Sequence, residues 1–291
     1  MVNAAVCIAA LITLTPLLAE AFFSGSLQAL THKLPKAARL SSPALLSVPY
    51  VLVAHSLERF SWGWFALYLL LPVAISVLVS QAKQVDPDQL GNWRDFLILV
   101  TLGLAVDLRW FEHAWPARLT IFGKLLLLDA GIYGFLGIRQ LDGVGFDLRL
   151  RVRDIGFGLR EFFLYAPIAV CLGLGLHFLH LHAFWPPLLQ SAGAWMFTFF
   201  FIAVPEELFF RGWLQNLLER RLGRYSALVL TAVLFGLSHW NKRATHFNWR
   251  YVLLAAIAGI FYGRAWRQER RVGAAVITHT FVDTVWSLWL R

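Results

Sequence analysis

"WMFTFFFIAVPEELFFRGW", residues 195 to 213, sets two adjacent glutamates and an arginine inside a run that is otherwise apolar. A helix that crosses a bilayer needs about 20 mostly apolar residues, and residues 188–218 supply them. A charged side chain in hydrocarbon costs several kcal/mol unless it meets a partner or a cavity. Glu206, Glu207 and Arg211 must therefore be paired, or must face a polar space between helices.

Working outward, the rest of the chain has the same character. Of its 291 residues, 58% are hydrophobic and 15% charged, with 24 Phe and 13 Trp. Soluble domains carry about 25% charged residues, so this composition excludes an ordinary soluble core. Apolar runs fall at roughly 2–24, 41–57, 62–81, 96–106, 119–138, 161–183, 188–218, 225–240, 251–263 and 272–290. The run at 96–106 is short, and the one at 119–138 contains Lys124 and Asp129, which we expect to satisfy neighbours. The expected fold is all-α, a polytopic transmembrane helix bundle of about eight to ten spans. No internal repeat is visible, and the linkers are too short to hold a soluble domain. We expect N-terminal spans over residues 1–160 and a second group of membrane helices over 161–291. The opening "MVNAAVCIAALITLTPLLAEAFF" lacks the basic segment of a cleaved signal and reads as a retained first span. Cys7 and Cys171 lie in apolar runs and offer no disulfide framework.

The formal charge of +9 invites comparison with nucleic-acid-binding proteins, but the basic residues are scattered over short loops and form no single face. Membrane topology accounts for them better, because cytoplasmic loops collect Lys and Arg. With ten spans, 17 such residues fall on one side, including the groups at 149–153, 220–224 and 264–271. The other side holds seven: Arg59, Arg109, Arg118, Lys242, Arg243, Arg250 and Arg291. The richer side is expected to be cytoplasmic.

The last spans carry the remaining intramembrane polar groups: His239 in "FGLSHW", and His279 and Asp283 in "THTFVD". Residues i and i+4 share a helix face. Glu207 can pair with Arg211, His279 lies on one face with Asp283, and His239 with Phe235. Glu206 sits about 100° from Glu207 and has no partner on its own helix. At about 1.5 Å per residue, Glu206 and His239 each lie roughly 20 Å from the basic loop at 219–224. Counted from Arg271, His279 and Asp283 lie roughly 12 and 18 Å in. Three helices thus bring these groups to similar depth, and we expect them to meet in a polar cavity. The run "HFLHLH" (His177, His180, His182) sits at a span end and reads as interfacial.

In order, "EELFFR", "FGLSH" and "HTFVD" resemble the Glu-Glu-x-x-x-Arg, Phe-x-x-x-His and His-x-x-x-Asn/Asp motifs of the CPBP family. That family comprises the CAAX prenyl endopeptidases of the Ras-converting type and their bacterial relatives, also called ABI proteins. The resemblance covers roughly residues 188–291. It implies an intramembrane glutamic endopeptidase in which Glu206 matches the catalytic glutamate and His239 the histidine that helps activate water. His279 and Asp283 match the pair that stabilises the oxyanion, and Glu207 and Arg211 the supporting ion pair. Some members carry Asn at the position of Asp283. An ionised Asp cannot donate to an oxyanion, so Asp283 either is protonated or orients His279.

The implied reaction is hydrolysis of a membrane-associated peptide or protein substrate without a covalent intermediate, in a bacterial inner (cell) membrane. No cofactor is expected. One alternative is a zinc-dependent membrane protease, since Glu206 or Glu207, His239 and His279 are suitable ligand types, although the compact His-Glu-x-x-His helix is absent. The other is a transporter or scaffold, since intramembrane carboxylates also build proton relays.

Overall fold

In a computed structural model, residues 3–182, 185–242 and 246–290 are described; Arg243 and Arg291, two of the seven basic residues on the poorer side, lie outside them. The described residues contain helices and no strands. They divide into two compact units, Met1–Asp142 and Gly143–Arg291.

The first unit is built from α1 (Ala4–Phe22), α2 (Ser26–Lys33), α3 (Lys36–Ser41), α4 (Val48–Ser56), α5 (Trp62–Val85), α6 (Trp93–Asp107) and α7 (Ile121–Ile132). Here α1 packs on α4 and α7, and α5 on α6 and α7. The unit turns on Arg139, which is fully buried. Its guanidinium donates to both oxygens of Asp95, at 3.1 and 3.2 Å, and to the Asp86 carboxylate at 2.6 Å. The Asp95 carboxylate also caps α6, accepting from the Asn92 N–H at 3.0 Å. Lys124 meets Glu112 at 3.8 Å. Asp129 does not meet the expectation of a satisfied neighbour. It is buried, and neither carboxylate oxygen has a hydrogen-bond partner among the described residues.

The second unit contains α8 (Val152–Gly175), α9 (Leu188–Thr198), α10 (Val204–Glu207), α11 (Asn216–Leu222), α12 (Arg224–Leu237), α13 (Trp249–Glu269) and α14 (Val272–Trp289). Wider π-type turns at Phe199–Ala203 and Leu208–Gln215 join α9, α10 and α11 into one helix, Leu188–Leu222. Such turns interrupt α-helices most often at functional sites, and here they flank the two glutamates. Gly223, at φ 77°, ends this helix and starts α12. α13 packs on α8, α12 and α14, and α14 on α8 and α9. The closest approach is at Gly236 of α12, where a Cβ would lie 2.5 Å from the Val252 carbonyl oxygen. In lipid, helices associate through packing of this kind, with small residues where the backbones touch.

Residues 143–151 strap the turn between α13 and α14. Val272 N–H donates to Gly145 O at 2.9 Å, and Trp266 Nε1 to Val144 O at 3.1 Å. Gly145 has φ +68°, and a Cβ there would lie 1.7 Å from the Arg270 carbonyl oxygen, so only glycine fits. Arg271 donates to both oxygens of Asp154 at 3.0 Å and to Asp147 at 3.1 Å.

Among the described residues, six helices are long and apolar enough to cross a membrane: Ala4–Phe22, Lys36–Ser56, Trp62–Val85, Ala117–Ile138, Val152–Gly175 and Leu188–Leu222. α12 is apolar but shorter. α14 carries His279 and Asp283, and these polar positions dilute an otherwise apolar sequence. Large apolar side chains such as Leu11, Leu70, Phe163 and Val229 point outward. On a soluble protein that surface would be an aggregation hazard; for an integral membrane protein it is the lipid face.

Candidate active site

The site lies within the second unit, where the Leu188–Leu222 helix, α12, the α12–α13 loop, α13 and α14 converge. Glu207 and Arg211 pair one helical turn apart, with Nε 3.1 Å from Oε2 and both side chains fully buried. A buried ion pair needs further support, because desolvation offsets most of the Coulomb attraction. Arg211 finds it in aromatic faces, with its guanidinium 5.8 Å from the Phe210 ring centre, 5.0 Å from Phe235 and 5.6 Å from Tyr262. Glu207 finds it in His279, whose Nδ1 lies 2.7 Å from Oε1. An ionised carboxylate only accepts, so Nδ1 carries the hydrogen and donates it.

The other nitrogen of the same ring faces two more acids. His279 Nε2 is 3.4 Å from Asp283 Oδ2 and 3.9 Å from Glu206 Oε2. The adjacent glutamates, which point apart on their own helix, thus reach opposite nitrogens of one imidazole. Tyr262 stacks on that ring, centre to centre at 4.7 Å with planes 14° apart, and fixes its tilt.

His239 is held differently. Its Nδ1 lies 2.9 Å from the carbonyl oxygen of Phe235, four residues earlier on α12. A carbonyl only accepts, so Nδ1 donates, and Nε2 keeps its lone pair. Ser238 Oγ, 3.2 Å from the same Nδ1, donates to the same carbonyl at 2.8 Å. The Phe235 ring stands between the two imidazoles, with centres 5.0 Å from His239 and 5.7 Å from His279. The Phe-x-x-x-His spacing therefore has a physical reason: the carbonyl of the first residue sets the tautomer of the second, while its ring spaces the two histidines.

His239, His279 and Asp283 border a cavity of about 90 Å³ that is otherwise walled by apolar and aromatic side chains of α8, α13 and α14, among them Tyr165, Leu254, Ala258 and Trp286. Two features differ from the expected polar cavity. Its walls are mainly apolar, and Glu206 is not among its lining residues. Beside Glu206 stands a residue the sequence did not single out for the site. Lys242, in the loop after α12, places Nζ 4.0 Å from Glu206 Oε1. Exposure divides the acids in two. Glu207 is fully buried, whereas the side chains of Glu206 and Asp283 are 27% and 28% exposed. Glu206 Oε2 makes no hydrogen bond among the described residues. Tyr262 and Lys242 were beyond sequence reading because neither shares a helix face with a motif residue; only the crossing of α13 and the path of the loop bring them in.

Among the described residues, no group of three or more His, Cys, Asp or Glu side chains is arranged to hold a metal ion. The class defined by fold and site is a polytopic helical membrane protein with a Glu–His–Asp cluster braced by a buried Glu–Arg pair. Residues 187–285, about a third of the chain, match the model of the family described as type II CAAX prenyl endopeptidase Rce1-like. The match lies wholly within the second unit and contains every residue of the cluster. No curated protein and no solved structure matches the chain.

Proposed function

We propose that the chain is an intramembrane endopeptidase of the CAAX protease type, which hydrolyses a peptide bond in a membrane-associated substrate with water activated by Glu206. The observation that carries this reading is the division of labour between the adjacent glutamates. Glu207 is consumed by Arg211 and His279 Nδ1, at 3.1 and 2.7 Å. Glu206, partly exposed and with only longer contacts, 4.0 Å to Lys242 and 3.9 Å to His279, is the carboxylate left for chemistry.

Peptide hydrolysis needs a base for the attacking water, a donor to the developing oxyanion and a proton for the leaving amine. Glu206 takes the first proton as the water oxygen bonds to the scissile carbonyl carbon. His239 assists through its free Nε2 lone pair, which the Phe235 carbonyl preserves. His279 acts as the imidazolium, its charge balanced by the carboxylates around it: Nδ1–H donates to Glu207 and Nε2–H is the donor to the oxyanion. Asp283, 3.4 Å from Nε2, holds that nitrogen in place and yields to the substrate oxygen as it arrives. The proton held by Glu206 passes to the leaving nitrogen as the C–N bond breaks. No acyl-enzyme forms. The apolar cavity beside the histidines suits an apolar part of the substrate, and the setting we assign is a bacterial inner membrane.

The test compares membrane peptides from cells carrying wild-type protein and Glu206→Ala. An uncut precursor should accumulate in the variant, and its cleavage in liposomes by purified wild-type protein should persist in a chelator. Identical peptide profiles would overturn the reading. Loss of cleavage in chelator, restored by zinc alone, would transfer it to the zinc-dependent alternative.

A further inference from the structure

We infer that Lys242 is a positioning residue for the Glu206 carboxylate, an inference that rests on the proposed role of Glu206. Among the described residues, Lys242 is the only lysine or arginine within ion-pair distance of Glu206. Its backbone is fixed on both sides: its N–H donates to His239 O at 3.2 Å, and its carbonyl accepts from Asn248 Nδ2 at 3.1 Å. Asn248 is itself the cap of α13, with Oδ1 accepting from the Tyr251 N–H at 3.3 Å. The loop that delivers Lys242 is thus tied to the end of α12 that bears His239 and to the start of α13. His239 and Lys242 are three residues apart, so one short segment carries both the assisting histidine and the cation.

The geometry around Glu206 gives the lysine its work. Oε1 lies 4.0 Å from Lys242 Nζ, and Oε2 lies 3.9 Å from His279 Nε2. Neither contact is a hydrogen bond, and Glu206 has no partner on its own helix. Without a cation on the loop side, nothing opposes rotation of the carboxylate toward His279, where it would compete with Asp283 for the same nitrogen. Lys242 draws one oxygen outward and leaves the other facing the histidine. Its aliphatic stem and 35% exposure let it hold that position at the edge of the site rather than inside it.

The experiment uses the full-length protein in liposomes and, as probe, a synthetic copy of the precursor peptide that accumulates in Glu206→Ala membranes. Lys242→Met should lower kcat by about ten- to a hundredfold, the range for a misplaced catalytic group, with KM within about threefold of wild type. Lys242→Arg, which keeps the charge, should recover most of the rate. Unfolding temperatures should match wild type for both, since the backbone bonds of the loop are untouched. Wild-type kcat in Lys242→Met, or a raised KM at unchanged kcat, would overturn the inference and leave the role of Glu206 standing; the second result would make Lys242 a substrate contact. Normal cleavage by Glu206→Ala would overturn both.

Discussion

At the scale of the residue, the Glu207–Arg211 pair shows how a membrane core tolerates charge. The pair is fully buried, and each partner has a second support: His279 for the acid, three aromatic faces for the base. Arg211→Ala leaves Glu207 and its link to His279 without a counter-charge. Removing one partner of a buried pair costs about 3–5 kcal/mol. We expect a lower unfolding temperature in detergent and lower abundance in the membrane, with Arg211→Lys intermediate because an ammonium lacks the planar face that meets the rings. Unfolding at the wild-type temperature would show that the pair is not structural. This pair was legible in the sequence because a spacing of four within one helix is a local fact. Its attachment to His279 was not. Depth counting set His279 several ångströms shallower than Glu206, and only the crossing of two helices decides that the imidazole bridges both glutamates.

At the scale of the element, each of the ten apolar runs corresponds to a helical stretch, because length and hydropathy alone specify that much. What they do not specify is where a helix stops or how closely two helices approach. The run expected to end at 218 continues to Leu222, where Glu219 is paired with Arg267 of α13 and with Arg270 just beyond it, which keeps the last turn in place. The π-type turns around the glutamates leave no pattern in hydropathy. The approach of α12 to α13 at Gly236 was equally hidden, since a glycine in an apolar run has many uses. Gly236→Ala tests it. The added methyl would meet the Val252 carbonyl at 2.5 Å and Ala256 Cβ at 2.7 Å, and both lie on a rigid helix. The helices must part, and His239 follows three residues later, just past the end of α12. We expect peptide cleavage to fall by about a hundredfold or more, as for a misplaced catalytic group, with a measurable loss of thermal stability. Unchanged cleavage would mean that the crossing does not set the position of His239.

At the scale of the whole molecule, the chemistry and the family match are confined to the second unit, and the first was legible only as hydropathy. Both units use one device at a helix end: an aspartate in the first turn that caps the helix and binds an arginine from elsewhere in the chain. Asp95 does so with Arg139, and Asp154 with Arg271. In the second unit the device extends to Asp147, and this sets an acid limit on the molecule. Burial works against ionisation of Asp147, but hydrogen bonds from Arg149 and Arg271 outweigh it and hold the carboxyl at about 2, below its ordinary 3.8. A depressed value means that the ionised form stabilises the fold. That contribution is complete above the unfolded value near 3.8 and is lost as pH falls toward 2. The strap over the α13–α14 turn should therefore loosen between about pH 4 and pH 2. Unfolding temperature in detergent, followed over that range, should fall more steeply in wild type than in Asp147→Asn. The variant should be the less stable of the two at pH 7, where it lacks the charge that Arg149 and Arg271 bind. Below pH 2 the two should converge, as the Asp147 carboxyl of wild type becomes protonated in the folded chain too. Parallel curves across the whole range would show that Asp147 is ionised equally in the folded and unfolded chains, and that the strap owes its stability to its other contacts, the backbone bonds of Gly145 and Val144 and the Arg271–Asp154 pair.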